Sequence, residues 1–315
     1  MSEHSAPVFS FYAPGDFDRV VRFLSDIPDS DLQPYGRVSW QFAYGLHPGF
    51  VSGGSTELFE RTCGIWTDEA GIAAMVLTEG NNEGETYLAF RSPEVKTPEL
   101  LSRMFDYAER FTSKTSANDG TDEHRYYHLA IADDDVAVQV FAEKRGYHKT
   151  DWTGDEMVKH YPAEPETVEL PEGFTVTDTN STPPIMSAIA HTQSFGGDLT
   201  SGHYGPASAF AYLRTMPDYR PDLDLLLLNA EGQPAGLATF WVTDKSPLAV
   251  LEPLGIVPWY QGQGLGRALV TEGINRTRKY GCTAVTGGDG PFYTSLGFHR
   301  APSYTIWDWS DKPAS

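Results

Sequence analysis

Apolar and polar positions along the second half of the chain follow the periods of helices and strands. Two helical stretches come first, then three apolar strands, of which the first two are joined by the turn Glu231-Gly232-Gln233. A longer helix follows, with Leu265, Ala268 and Leu269 on one face and Gly281 where a helix C-cap belongs. The predicted helices are residues 183–195, 206–216 and 265–280, and the predicted strands are residues 223–229, 235–242, 248–257, 283–286, 298–299 and 304–309. This order predicts a mixed α/β unit.

The first half of the chain repeats a similar order of elements. Residues 141–147 echo residues 293–298, so we infer an internal repeat of about 150 residues. The predicted helices are residues 17–24, 100–111 and 136–144, and the predicted strands are residues 63–67, 71–78, 85–90 and 126–131. Residues 31–54 are aromatic and irregular, which fits either a substrate-pocket wall or a local hydrophobic cluster. We predict two domains, residues 1–161 and 173–315, with a proline- and acid-rich linker at 162–172.

A glycine-rich segment, residues 261–267, lies between the third strand of the second half and the long helix. The first N–H groups of a helix lack intrahelical partners and carry the positive end of the dipole, so such a turn binds phosphate. A nucleoside-triphosphate loop requires Lys-Ser/Thr after its last glycine, but Arg267 and Ala268 follow Gly266. A dinucleotide fingerprint also fails by spacing. The pattern present is Gln261-x-x-Gly264-x-Gly266.

This pattern resembles the pyrophosphate loop of the GCN5-related N-acetyltransferases (the GNAT superfamily), which bind acetyl-CoA. A second match lies downstream, where Tyr293 precedes Leu296-Gly297-Phe298 as in that family's tyrosine and Leu-Gly-Phe signature. The resemblance covers roughly residues 172–310. It implies that the chain consists of two tandem acyl-CoA N-acyltransferase domains with a mixed α/β sheet in each, and that acetyl-CoA is the co-substrate.

The resemblance also implies roles for particular residues. The strand before the loop carries a bulge in this family, and the thioester and pantetheine arm lie along it, here at Leu254, Gly255 and Ile256. The pyrophosphate lies on the loop, formed by Gln261, Gly262, Gln263, Gly264, Leu265, Gly266 and Arg267. Tyr293 corresponds to the tyrosine that protonates the leaving thiolate, because the usual pKa of a phenol, about 10, suits a thiol of about 8.5. A core tyrosine with a satisfied hydroxyl is the alternative.

Strand alternation places Glu252 on the same face as Leu254 and Ile256. A carboxylate is costly to bury in an apolar strand unless it is paired or functional. We expect Glu252 to accept the proton of the substrate ammonium with a raised pKa. Two alternatives stay open: an electrostatic anchor for the amine, and a partner for Arg214 or Arg220.

Other residues are weaker candidates. His191 lies in the helix before the cleft, and no His-Glu-x-x-His metal motif occurs in the sequence. Aromatic residues that fit either a substrate wall or ordinary core are Phe195, Tyr204, Tyr212, Tyr219 and Trp241. Candidate partners for a cationic substrate are Asp198, Asp222 and Asp224.

The first half departs from the pattern at the position of the phosphate loop. Residues 91–98 contain no glycine, Glu94 would repel pyrophosphate, and Pro93 and Pro98 lack N–H donors. We therefore predict that the first domain does not bind CoA in the usual way and serves to shape the cleft of the second.

Composition limits the classes of function. With 23 basic and 43 acidic residues the net charge is −20, which argues against nucleic acid and anionic membranes as partners and permits an amine substrate. No apolar run is long enough to span a membrane, and the N-terminus lacks a signal-peptide pattern. Cys63 and Cys282 fall in different halves, so we expect free thiols in a reducing cytoplasm. The expected assembly is a monomer or a homodimer.

These observations predict an N-acetyltransferase that moves acetyl from acetyl-CoA to an amine of a small molecule or peptide by direct attack. A non-catalytic acyl-CoA-binding regulatory protein is the alternative, since it would keep the loop without a competent base. A structural protein in which both domains are relics is disfavoured, because an unused loop does not need its glycines.

Overall fold

The structure is a computed structural model that describes residues 6–27, 36–51, 56–78, 84–116, 123–154, 157–197, 207–301 and 304–312, and only the backbone of residues 47–51. Its helices are α1 (Phe17–Asp26), α2 (Arg37–Val51), α3 (Glu57–Thr62), α4 (Pro98–Phe111), α5 (Val136–Lys144), α6 (Pro184–Ser194), α7 (Ala207–Leu213), α8 (Leu265–Thr277) and α9 (Pro291–Ser295). Its strands are β1 (Val8–Phe11), β2 (Gly64–Asp68), β3 (Gly71–Thr78), β4 (Glu85–Phe90), β5 (Lys114–Ser116), β6 (His124–Ala132), β7 (His148–Gly154), β8 (Met157–His160), β9 (Thr175–Asp178), β10 (Asp224–Leu228), β11 (Pro234–Trp241), β12 (Leu248–Ile256), β13 (Ala284–Gly287), β14 (His299–Arg300) and β15 (Tyr304–Ser310).

The chain forms two compact units, each with one mixed sheet. Unit 1 comprises Met1–Trp40, Ser55–Asp155 and Pro302–Ser315, and unit 2 comprises Gln41–Gly54 and Glu156–Ala301. The strand order in unit 1 is β1-β2-β3-β4-β6-β15-β7, with β5 paired to β6, and the order in unit 2 is β14-β8-β13-β12-β11-β10-β9. In the described pairings, β4 with β6 and β12 with β13 are parallel, and the others are antiparallel. The predicted mixed α/β fold is confirmed.

Each sheet contains one strand whose neighbours in the sequence belong to the other unit. β8 directly follows the edge strand of the unit 1 sheet, yet it pairs with β13 and β14 in unit 2. β15 follows the last strand of unit 2, yet it lies between β6 and β7 in unit 1. The units therefore differ from the predicted division at residues 161 and 173, because an apolar strand pattern does not state which sheet the strand joins.

Leucines of β10 are buried on both faces of the unit 2 sheet. Leu225 and Leu227 belong to the larger core, which includes Leu265 and Leu269 of α8. Leu226 packs on the other face with residues of α6 and β11. Two covered faces explain why this strand reads as a continuous apolar run. The packing of α8 against the sheet fixes where that helix begins, immediately beyond the end of β12.

One segment has a different secondary structure from the one predicted. Residues 31–54 were expected to be irregular, but α2 occupies Arg37–Val51. Trp40, Phe42 and Tyr44 are buried, which supports a hydrophobic cluster rather than an open pocket wall. Residues 31–35 and 52–54 lie outside the described residues. The aromatic content conceals the helix because aromatic residues have middling helix propensity and are placed here by packing.

Candidate functional site

The glycine-rich segment has the backbone conformation that its sequence predicts. Gly262 and Gly264 have φ of 77° and 83°, in the left-handed region that favours glycine. Gly264 is the N-cap residue of α8, and the bond from the Ala268 N–H to the Gly264 carbonyl oxygen, at 3.1 Å, begins the helical ladder. The side-chain amide of Gln261 donates to the Ile256 carbonyl oxygen at 2.9 Å and so ties the loop to the end of β12.

The N–H groups of this loop are available to a ligand. Within the described parts of the chain, none of the backbone N–H groups of residues 262–267 donates to another residue. Consecutive unpaired N–H groups at the start of a 13-residue helix form an anion site. The structure thus gives the loop the donors that phosphate oxygens need.

A cavity of about 580 Å³ opens over the loop. It is lined by the end of β12 at Leu254–Ile256, by the loop and first turn of α8, and by Phe292, Tyr293 and Ser295 of α9. Among the described lining residues Arg267 is the only charged one, and its guanidinium donates to the Ser295 carbonyl oxygen at 3.0 Å. The predicted loop residues line this cavity except Gln263, which is exposed but does not line it.

Two glycines allow α9 to approach the cavity closely. A Cβ on Gly266 would lie 3.1 Å from the ring of Phe292, and a Cβ on Gly287 would lie 2.7 Å from the ring of Tyr293. Tyr293 is half-buried and packs edge-on against Phe292 and Phe298, with ring centroids 5.2 and 5.3 Å away. Sequence reasoning missed Phe292 as a wall residue, although its place beside Tyr293 on a short helix was a usable signal.

Beside the cavity, strand β12 extends beyond its pairing with its parallel neighbour β13. The described pairing with β13 covers Leu248, Ala249 and Val250, while β12 continues to Ile256. On its other side β12 pairs with β11, but the register shifts between Ala238, opposite Leu254, and Phe240, opposite Leu251. β12 therefore carries one extra residue, a β-bulge around Glu252–Pro253, and the expected bulge is confirmed.

Glu252 lies in this bulge and is exposed. The burial from which a raised pKa was expected is therefore absent, because Glu252 lies on the less buried face of β12 with Leu254 and Ile256. The role of this carboxylate stays a prediction. Glu252 is not among the residues that line the cavity. Arg214 donates to the Thr182 carbonyl oxygen and the Ser187 hydroxyl, and Arg220 donates to backbone carbonyl groups, so neither pairs with Glu252.

His191 lies near the other side of β12. Burial lowers the pKa of His191 to about 4, because a charged imidazolium loses its hydration there. Its ring packs against Phe195 and Phe210, with centroids 4.7 and 5.6 Å away. The imidazole is therefore neutral at neutral pH and is a weak general base. Its helix contacts β12 closely, since a Cβ on Gly255 would lie 2.5 Å from the Cβ of Ser194.

The remaining candidates divide by burial. Tyr219 and Trp241 are buried, while Phe195 and Tyr212 are exposed. Asp224 is buried and accepts hydrogen bonds from the Tyr219 and Thr239 hydroxyl groups, and Asp222 pairs with Lys279. Tyr204 and Asp198 lie outside the described residues.

The corresponding place in unit 1 is a cavity of different chemistry. It has a volume of about 770 Å³ and lies between the end of β4 and the start of α4. Carboxylates of Asp68, Glu69, Glu94 and Glu99 line it. Arg91 and Arg103 also line it, but the guanidinium of Arg91 makes two hydrogen bonds to Asp68, at 2.9 and 2.6 Å, and that of Arg103 donates to the Pro7 carbonyl oxygen at 2.7 Å. An excess of carboxylates opposes pyrophosphate binding, so the absence of CoA from unit 1 stays a prediction with electrostatic support.

Two further findings concern the described residues as a whole. No group of three or more His, Cys, Asp or Glu side chains there has the arrangement to hold a metal ion. None of the described helices is long and apolar enough to cross a membrane.

The known sequences that this chain resembles are acetyltransferases. A sequence model of the acetyltransferase (GNAT) family matches residues 198–299. The chain is 33% identical over 132 residues to the uncharacterized N-acetyltransferase YjhQ of Escherichia coli K12, a match that covers 40% of this chain and 68% of that protein. It is 32% identical over 105 residues to the uncharacterized N-acetyltransferase YhbS of the same organism, covering 30% of this chain and 63% of that protein.

Comparison with solved structures extends over the whole chain. A GCN5-related N-acetyltransferase from Sphaerobacter thermophilus aligns with a TM-score of 0.57 and 16% identity, covering 98% of this chain and 96% of that one. A tandem GNAT protein from the clavulanic acid biosynthesis pathway aligns with a TM-score of 0.59 and 11% identity, covering 98% and 99%. At these identities the two structures support the fold, with its tandem arrangement, and no more.

Proposed function

Because the chain belongs to the GNAT family of acetyltransferases, we propose that unit 2 binds acetyl-CoA and transfers its acetyl group to an amine of a small molecule or peptide. The observation that carries this proposal is the loop at residues 262–267, whose N–H groups make no hydrogen bond to a described residue and which borders a cavity also lined by Tyr293 and the end of β12. Each part of the co-substrate has a matching feature in this arrangement.

The pyrophosphate is bound by the loop and the start of α8. Backbone N–H groups supply directed donors, and the helix dipole adds partial positive charge. Arg267 lies in the first turn and adds a full positive charge at the rim. The absence of carboxylates among the described lining residues keeps this potential positive although the whole chain carries a net charge of −20.

The pantetheine arm lies along β12 beyond Val250, the last residue of its described pairing with β13. An exposed strand edge offers backbone donors and acceptors to an extended ligand, as in strand addition. The thioester then lies near Leu254 and Gly255, beside the bulge. A backbone N–H at this place polarises the thioester carbonyl in the proposed reaction.

The transfer needs one attack and two proton movements. The neutral amine nitrogen attacks the thioester carbon, a C–N bond forms, and the C–S bond breaks. Tyr293 gives its phenolic proton to the CoA sulfur. Glu252, directly or through water, takes a proton from the substrate nitrogen, and its exposure gives this proton a route to solvent.

A non-catalytic acyl-CoA-binding protein is the second candidate. The observation that favours it is the position of Glu252, which is exposed and does not line the cavity. Thiol release from acetyl-CoA across a panel of amines separates the two candidates, since binding without amine-dependent thiol release supports the second.

Titration calorimetry with acetyl-CoA tests the site itself. Gly264→Glu adds a negative charge and a side chain at a φ of 83°, so we expect the affinity to fall by more than about 10-fold. Gly232→Glu is the matched control, because Gly232 has a φ of 76° and an equally open environment but lies in the β10–β11 turn. Equal affinities for the two variants would show that the site lies elsewhere.

A further inference from the structure

The indole of Trp241 makes a directed hydrogen bond to the bulge in β12. Its Nε1–H donates to the Glu252 carbonyl oxygen at 2.7 Å, and its side chain is 1% exposed. Trp241 is the last residue of β11 and lies opposite Val250 in the ladder. Its ring therefore reaches diagonally along the sheet to the irregular residue, rather than to its own ladder partner.

This bond compensates for the irregular pairing at the bulge. Extra residues in a strand leave backbone groups outside the ladder, and a buried carbonyl group without a partner is costly. A buried indole N–H has the same need. By contrast, the Nε1–H groups of Trp66 and Trp307 are buried without a hydrogen-bond partner among the described residues.

Aromatic side chains hold the indole from two sides. The ring of Tyr219 meets it edge-on at 6.1 Å, and the ring of Phe42 meets it edge-on at 6.5 Å. Tyr219 is itself fixed, because its hydroxyl donates to Asp224 and also bonds to Thr179. The indole therefore has little rotational freedom, and its N–H stays directed at the Glu252 carbonyl oxygen.

Phe42 comes from α2, far from the other site residues in sequence. Its neighbour Gln41 donates to the Asp218 carboxylate and accepts from the Asp218 N–H, and both residues are buried. A Cβ on Gly45, one turn later, would lie 2.9 Å from the side chain of Leu213. This part of α2 is thus fixed within unit 2, although it precedes most of unit 1 along the chain.

We propose that Trp241 is a positioning residue for acetyl transfer. Its N–H holds the Glu252 carbonyl oxygen and so fixes the bulge, which sets the direction of the Glu252 carboxylate. The segment Gln41–Leu46, defined here as the α2 brace, holds Trp241 through Phe42. This inference rests on the proposed function of unit 2 and gives the first half of the sequence a part in that site.

Trp241→Phe in the full chain tests the bond, because it removes the donor and keeps an aromatic ring. We expect kcat to fall by about 10-fold or more, since small misplacements of reacting groups cost up to about 100-fold. The Kd of acetyl-CoA should change by less than about 2-fold, because the loop is untouched. Trp66→Phe is the matched control, a buried indole without a hydrogen-bond partner, and should leave kcat unchanged.

A double-mutant cycle with Glu252→Gln distinguishes a role of Trp241 in positioning Glu252 from a general destabilisation of the surrounding structure. If Trp241 acts through Glu252, the double variant should be little slower than Glu252→Gln alone. Additive losses, an unchanged kcat, or equal changes in kcat and Kd would overturn the proposal. If Trp241→Phe does not fold, Phe42→Leu decides: a lower kcat at constant Kd supports the α2 brace, and an unchanged kcat overturns it.

Hydrogen exchange gives a readout that does not depend on activity. We expect the amides of residues 254–256 to exchange faster in Trp241→Phe and at the wild-type rate in Trp66→Phe. If the wild-type protein transfers no acetyl group but this contrast is seen, the proposed function fails while the role of Trp241 in fixing the bulge stands. Equal exchange in both variants would show that the indole does not hold the bulge.

Discussion

At the scale of single residues, position decides what each candidate is able to do. Tyr293 lies on the cavity wall with its ring close to Gly287 and Gly288, which suits its proposed role as proton donor to the CoA sulfur. His191 is half-buried against Phe195 and Phe210, and its lowered pKa keeps the imidazole neutral at neutral pH. Burial raises the pKa of the Cys63 thiol to about 11, and no disulfide joins Cys63 and Cys282.

Tyr293→Phe should lower kcat by at least about 10-fold, because the phenolic proton is then missing when the thiolate leaves. The affinity for acetyl-CoA should change little, since the ring is kept. Steady-state kinetics with calorimetry measures both. Tyr161→Phe is the control, a tyrosine of unit 2 whose hydroxyl bonds to Thr277 away from the cavity. An unchanged kcat in Tyr293→Phe would remove the acid role.

The lowered pKa of His191 predicts a pH-dependent stability. Its folded pKa of about 4 lies below the unfolded value of about 6.5, so the unfolded state binds a proton first as the pH falls. Its contribution to the free energy of unfolding is therefore present above about pH 6.5 and is lost as the pH falls towards 4.

Urea unfolding at pH 7.5 and 5.5, both above the pI of 4.7, measures this effect. Between pH 7.5 and pH 5.5, the free energy of unfolding of the wild-type protein should fall by about 1 kcal/mol more than that of His191→Gln. His148→Gln replaces an exposed histidine and should follow the wild type. Equal losses in the wild type and His191→Gln would contradict the assignment.

At the scale of elements, strand pairing, and not the order of strands along the chain, decides which sheet a strand joins. β8 places Met157 and Val158 in the unit 2 sheet between β13 and β14, and Met157 belongs to the unit 2 core. β15 fills the space between β6 and β7 and buries Trp307 in unit 1. A cut at a predicted linker would separate both strands from their sheets.

Two fragments of the chain test whether β8 belongs to the unit 2 sheet and β15 to the unit 1 sheet. Residues 156–301 contain every strand of the unit 2 sheet, whereas residues 173–315 lack β8 and carry β15 without its partners. We expect the fragment 173–315 to unfold at a temperature at least about 5 °C lower, or to be insoluble, because an unpaired edge and a lost core strand both destabilise it. Thermal unfolding followed by circular dichroism measures the difference. Equal stability would contradict the observed pairing.

At the scale of the whole molecule, two copies of one fold have unequal sites. The unit 2 cavity has glycines, unpaired N–H groups and Arg267, whereas the unit 1 cavity has four carboxylates and two arginines, of which Arg91 is paired with Asp68. We predict one acetyl-CoA per chain. Calorimetric stoichiometry measures this directly: the Gly264→Glu variant should lose the single site, and two sites in the wild type would contradict the prediction.

Much of the site was predictable from local sequence. The glycines at 262 and 264 and the helix after them have a short-range physical cause, the positive φ and the helix start, so the loop was found without the structure. The face on which Glu252 lies was predictable from alternation, since residues 252, 254 and 256 share the less buried face of β12. The bulge at 252–253 was not predictable from periodicity, because it depends on pairing with β11. Phe42 was placed at the site only by contacts distant in sequence.

The sequence by itself determined the repeated α/β pattern, the phosphate-type loop and its loss in the first half, because these depend on neighbouring residues and backbone geometry. The tertiary structure decided which sheet β8 and β15 join, where α2 packs, and how Trp241 meets the bulge. Those outcomes depend on long-range pairing and burial, which bring together residues that local periodicity cannot relate.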